Sequence, residues 1–202
     1  MKVHDILSEG QNTKVILVDF QPAYDNEWSP NYKSALKNAI EYLNRSQSTN
    51  VIIFFNGEEV GIEDTSSDVA QHYIEYGLDE NLVDNFSFRE KSYAFFRSWM
   101  DSGIAPGLII KVIRHMTVTH NNDSRDLEED EMIDLIGQDN YEKYFNIIEG
   151  DPIYLPDINI AEIKSFSGAL IGGGGEKECL REIQILMNAF NIKYKAVSSW
   201  IY

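Results

Sequence analysis

Ser167-Gly168-Ala169-Leu170-Ile171-Gly172-Gly173-Gly174-Gly175-Glu176-Lys177-Glu178-Cys179-Leu180 is the stretch that decides the fold. An apolar strand runs into four glycines, and an amphipathic helical pattern starts at once. The only cysteine of the chain, Cys179, falls in the first turn of that helix. A helix N-terminus presents unpaired N–H groups and a partial positive charge. Both favour a thiolate, so a cysteine placed there is a candidate nucleophile. The plainer alternative is a small buried hydrophobe above a tight turn.

Working outward, the helix after the glycines carries Cys179, Leu180, Ile183, Leu186, Met187 and Phe190 along one face, and residues 192–197 read as a last strand. Upstream, residues 158–166 read as a helix leading into the glycine-ended strand. Residues 14–20 (KVILVDF) and 50–55 (NVIIFF) are short β-branched runs of the kind buried on both faces of a sheet. Between them, Ser29-Pro30 offers a helix start ahead of Tyr32, Leu36, Ala39, Ile40 and Leu43 at helical spacing. Residues 68–76 read as a helix bearing a structural His72, and residues 85–88 as a weak strand. Residues 103–116 fit strand or helix equally, and residues 127–136 and 141–148 read as helices. Strands alternating with helices predict an α/β fold, a doubly wound, mostly parallel sheet with flanking helices in a Rossmann-like three-layer arrangement.

Length and composition bound the function. At 202 residues, with 43% hydrophobic and 12% aromatic residues, the chain predicts one globular domain with a sizeable core. One cysteine excludes an internal disulfide and suits a reducing, cytoplasmic setting. No apolar run approaches a membrane span. A net charge of −16 argues against broad binding of nucleic acid through its phosphates. Residues 121–151 hold eleven Asp/Glu against two Lys/Arg, which reads as a solvated acidic face. The acidic loop Glu58, Glu59, Glu63, Asp64 reads as solvated too. His115 and His120 lack a third ligand beside them, so no metal and no cofactor are expected.

A cysteine hydrolase needs a thiol at a helix N-terminus, a base for its proton, and a cation to hold developing charge. Cys179, Asp19 and Lys91 supply those chemistries. In a parallel sheet, the ends of the strands before Asp19 and before the glycines share one edge. The glycine N–H groups are candidate oxyanion donors.

This constellation resembles the isochorismatase-like cysteine hydrolases, which act on amides, carbamates and vinyl ethers. Val18-Asp19-Phe20-Gln21 resembles the family's first-strand Asp-x-Gln. Lys91-Ser92-Tyr93-Ala94-Phe95-Phe96 resembles its Lys followed by an Ala-Phe pair. Gly173 to Cys179 resembles its Gly-to-Cys elbow. The resemblance implies Asp19 as base, Lys91 as thiolate partner and Cys179 as nucleophile. Gln21, Gly173, Gly174 and Gly175 become the expected substrate-binding residues, with a small molecule as partner and room for a homo-oligomer. The chain departs from the family in its long Lys-to-Cys gap, which makes an acidic helical insertion of about 103–166 within one α/β domain of 13–202. It departs also in Glu176 and Glu178, whose charge opposes the helix dipole.

Two other classes remain open. PIN-like and NYN nucleases are α/β sheets with an Asp ending the first strand, and on that reading Asp19, Asp101, Glu176 and Glu178 would hold Mg²⁺. The third is a non-catalytic α/β binding protein. Residues 1–12 form a leader or tail. Residues 1–10 resemble the capsid-targeting leader of internal head proteins of large tailed phages, with Leu7-Ser8-Glu9 before Gly10 as the cleavage site, which would place the chain in a virion.

Overall fold

Val, Ile and Phe crowd the strand segments because β-branched and aromatic side chains fit a pleated surface buried on both sides. A computed structural model of the protein describes residues 13–26, 29–57, 64–91, 96–155 and 160–202. The expected leader, Glu58, Glu59, Glu63 and the Ala94-Phe95 pair lie outside the described residues. β1 (Val15–Val18), β2 (Val51–Asn56) and β4 (Ala169–Gly173) are buried at every position. β3 (Phe86–Lys91) and β5 (Tyr194–Ile201) mix buried, intermediate and exposed positions and form the two edges. The order is β3-β2-β1-β4-β5 and all four pairings are parallel. The fold is therefore the expected α/β class, a parallel sheet with flanking helices.

The order carries functional meaning. The chain builds from β1 out to β2 and β3, then returns to the other side of β1 with β4 and β5. The direction of winding reverses between β1 and β4, so their carboxyl ends flank the switch point where open α/β sheets bind ligands. Val18 pairs with Gly173 across it.

Two compact units divide the chain, a sheet unit (described residues up to 91, 166–181 and 193–202) and a helical unit (described residues within 92–165, and 182–192). In the sheet unit, α1 (Tyr32–Ser46) buries Tyr32, Ala35, Leu36, Ala39, Ile40, Tyr42 and Leu43 along one stripe. That stripe shares a core with Val15, Leu17, Val51, Ile53, Leu170, Val197 and Trp200. Each Val, Leu or Ile among them contributes about 1.5–3 kcal/mol on leaving water, offset by chain entropy. The helix begins later than Ser29-Pro30 predicts: Ser29 C=O accepts the Tyr32 N–H at 3.0 Å in a preceding turn, and Asn31 is the N-cap. α2 (Ser66–Glu75) opens with a reciprocal capping box between Thr65 and Asp68, and α3 (Glu80–Val83) follows. β5 runs past the predicted 197 because Trp200, fully buried, packs on Tyr42 with ring centroids 5.1 Å apart.

In the helical unit come α4 (Arg97–Asp101), α5 (Pro106–Thr119), α6 (Glu129–Ile136), α7 (Gln138–Gly150) and α8 (Ile160–Ser165). The ambiguous segment is α5, with Pro106 in its first turn and Ile109, Val112, Ile113 and Met116 buried at helical spacing. Glu129, Asp130 and Glu131 open α6, where negative charge complements the helix dipole. Trp99 is buried and donates its indole N–H to Asp151 C=O at 2.8 Å. α9 (Cys179–Ala189) begins in the sheet unit and continues in the helical one.

Candidate active site

After Val18 the chain bends sharply, and Asp19 adopts the left-handed conformation at φ 57°. Asp is among the few residues with a side chain that tolerate this region. Three hydrogen bonds hold the bend. Asp19 N–H donates to Phe54 C=O at 2.8 Å, and Asp19 C=O accepts from Gln21 N–H at 3.0 Å and from the Tyr202 hydroxyl at 2.6 Å. The strained residue thus ends the first strand at the switch point with its carboxylate turned toward the end of β3.

Lys91 is the last residue of β3 and pairs in register with Asn56 at the end of β2. Its Nζ lies 3.2 Å from Asp19 Oδ2 and donates to Asn56 Oδ1 at 2.8 Å. The Lys91 and Asp19 side chains are 0% and 1% exposed. Charges this dry are tolerated only in pairs with further hydrogen bonds. The structure therefore brings together the expected base and cation, from strands that are not neighbours in the sheet.

Asn56 was not legible as a site residue; as part of Asn56-Gly57 it reads only as a strand-ending turn. In the structure it is the joint of the site. Its Nδ2 donates to the Tyr24 hydroxyl. Its main-chain N–H donates to Gln21 Oε1 at 2.8 Å, and its C=O accepts from Gln21 Nε2 at 3.0 Å. Gln21 Nε2 also donates to Asp64 Oδ2 at 2.8 Å, and Asp64 accepts the Ala23 N–H at 3.0 Å. Both amide protons of the fully buried Gln21 are thereby spent. Gln21 thereby ties the end of β1 to the end of β2.

At Gly173, φ is 126° and a Cβ would stand 2.0 Å from Val18 C=O, so the close approach of β4 to β1 requires glycine. Two of the glycine N–H groups considered as oxyanion donors bond within the fold. Gly174 N–H donates to Val18 C=O at 2.9 Å and Gly175 N–H to Tyr202 C=O at 3.1 Å, which commits both. The Glu176 and Lys177 N–H groups, at the turn that opens α9, have no acceptor among the described residues. Glu178 N–H and Leu180 N–H close that turn onto Gly175 C=O and Gly174 C=O at 2.7 and 2.9 Å. Cys179 is half-buried at the first position of α9, while Glu176, Lys177 and Glu178 are exposed, so solvent screens their charge.

Burial, then the charges of Asp19, Tyr32 and Cys179, push the Tyr202 phenol well above its ordinary pKa. The hydroxyl of Tyr73, fully buried and without a hydrogen-bond partner among the described residues, is raised by burial and then by Asp19. Asp19 and Cys179 thus share the surroundings of one phenol. His72 Nε2 lies 2.8 Å from the Tyr32 hydroxyl, which itself donates to Gln21 C=O at 2.9 Å. Burial lowers the His72 pKa, in keeping with its structural reading.

The metal readings find other partners. His115 faces Glu131 at 3.6 Å, and Asp101 pairs with Arg97 at 3.0 Å. Among the described residues no three His, Cys, Asp or Glu side chains gather as a metal-holding group. No helix among them is long and apolar enough to cross a membrane. Comparison of the chain with protein-family models, curated proteins and solved structures gives no match.

Proposed function

We propose that the protein is a cysteine hydrolase of the isochorismatase-like type that acts on a small amide. The observation that carries this reading is the buried Asp19–Lys91 pair at 3.2 Å, set at the sheet's switch point beside the glycine elbow that leads to Cys179. In the proposed reaction, Asp19 accepts the Cys179 proton and the sulfur attacks the amide carbon. The tetrahedral oxyanion is held by N–H groups of the turn before α9. Asp19 returns the proton to the departing amine, leaving a thioester. Water then gives its proton to Asp19 as its oxygen attacks the thioester, and the acid product leaves as Cys179 regains its proton. Lys91 keeps the carboxylate oriented and balances its charge. The nuclease alternative is less well supported, because an ammonium already sits on the carboxylate that would have to hold Mg²⁺.

The test uses p-nitrophenyl acetate as an activated acyl donor. The expected outcome is a burst of p-nitrophenol with an acetyl group mapped to Cys179 by peptide mass spectrometry, slowed in Asp19→Asn. Acetylation spread over lysines, with Cys179 unmodified, contradicts the proposal and leaves a binding protein as the better reading.

A further inference from the structure

We infer that Tyr202 is a positioning residue that ties the Asp19 bend to the cysteine elbow, so that the reactivity of Cys179 depends on the Tyr202 hydroxyl. The inference rests on the hydrolase reading of Cys179 and adds a residue that neither motif nor spacing indicates.

Tyr202 touches both halves of the site. Its hydroxyl donates to Asp19 C=O at 2.6 Å, fixing the one left-handed residue whose side chain reaches Lys91. Its main chain grips the elbow, with Tyr202 C=O accepting from Gly175 N–H at 3.1 Å and Tyr202 N–H reaching Gly173 C=O at 3.4 Å. Its ring is fixed by Phe20 at 5.2 Å and by an edge-on Tyr32 at 4.8 Å between centroids. The fit leaves no slack, since a Cβ on Gly174 would come within 2.8 Å of the hydroxyl. A phenol held well above its usual pKa stays protonated through neutral pH. It therefore remains a donor to Asp19 C=O and does not compete with the carboxylate for the thiol proton.

Losing the hydroxyl frees the Asp19 bend to relax, which moves the carboxylate relative to the thiol while ring packing persists. The experiment follows iodoacetamide labelling of Cys179 against pH in the full-length wild type, Tyr202→Phe and Gly174→Ala, with thermal unfolding of each. Gly174→Ala perturbs the same contact from the other side and keeps the phenol. The expected result is labelling at pH 7 lowered about fivefold in Tyr202→Phe, the factor set by one neutral hydrogen bond. The pH midpoint should move in the same direction in both variants, and the double variant should add nothing further. The control Tyr76→Phe, which removes a phenol hydrogen bond elsewhere, to the Asp25 carboxylate, should keep the wild-type profile. A reactive wild-type thiol with an unchanged profile in Tyr202→Phe overturns the inference alone. A wild-type thiol no more reactive than in the urea-unfolded chain overturns the hydrolase reading, and the inference falls with it.

Discussion

Replacing Lys91 with Met keeps an unbranched apolar stem of four heavy atoms and removes the ammonium. The Asp19 carboxylate would then stay buried with its cation gone. At 3.2 Å and an effective dielectric of about 20, the gross attraction between the charges is about 5 kcal/mol. Much of this offsets desolvation, so the pair contributes little net stability, yet removing one partner strands the other. Breaking such a pair costs about 3–5 kcal/mol. The lost donation to Asn56 Oδ1 falls within that figure. Urea unfolding followed by circular dichroism should show the loss at pH 7 with the denaturant slope unchanged. Asp19→Asn combined with Lys91→Met should recover part of it, giving a coupling energy of about 2 kcal/mol. A loss under about 1 kcal/mol, the size expected of an exposed pair, would refute the claim that the two charges are dry and mutually dependent.

Gly173→Ala places a Cβ against Val18 C=O in a left-handed backbone, and strain with overpacking predicts a loss of about 3 kcal/mol. Gly77→Ala, also at positive φ but in open space, should lose only about 1 kcal/mol; equal losses in chemical unfolding would show that the β1–β4 approach is not tight. Burial depresses the folded pKa of His72, so its neutral ring contributes stability above the unfolded value of about 6.5, and that contribution is lost as pH falls through the folded value. Stability measured from pH 6.5 down to 5 should therefore fall more steeply in wild type than in His72→Gln, and parallel curves would contradict the assignment.

What was legible in the sequence follows the range of the interactions involved. The strands of residues 14–20 and 50–55 were plain because central parallel strands are apolar at every position. β3 was faint because Phe86-Ser87-Phe88-Arg89-Glu90-Lys91 is an edge strand that exposes Arg89 and Glu90 and ends on a buried Lys91, so its pattern is neither apolar throughout nor alternating. Asp19, Lys91 and Cys179 could be singled out by residue type at element ends. The roles of Asn56 and Tyr202 could not, since each acts through pairings with residues remote in the chain: Asn56 with Lys91 across β2 and β3, and Tyr202 with Asp19 across the switch point. Gln21 and the N–H groups of Gly174 and Gly175 looked available for substrate because spacing does not reveal a donor already spent on a neighbouring strand.

The central claim is that Cys179 belongs to the same site as Asp19 and Lys91. The measurement that tests it most directly is the rate of iodoacetamide labelling at Cys179 at pH 7, compared between the folded wild type, the urea-unfolded chain and folded Asp19→Asn. The folded wild type should react about tenfold or more faster than the unfolded thiol, and Asp19→Asn should remove most of the gain, in line with the contribution of one positioned base. A folded thiol that reacts more slowly than the unfolded one, or that reacts equally with and without the Asp19 carboxylate, would contradict it.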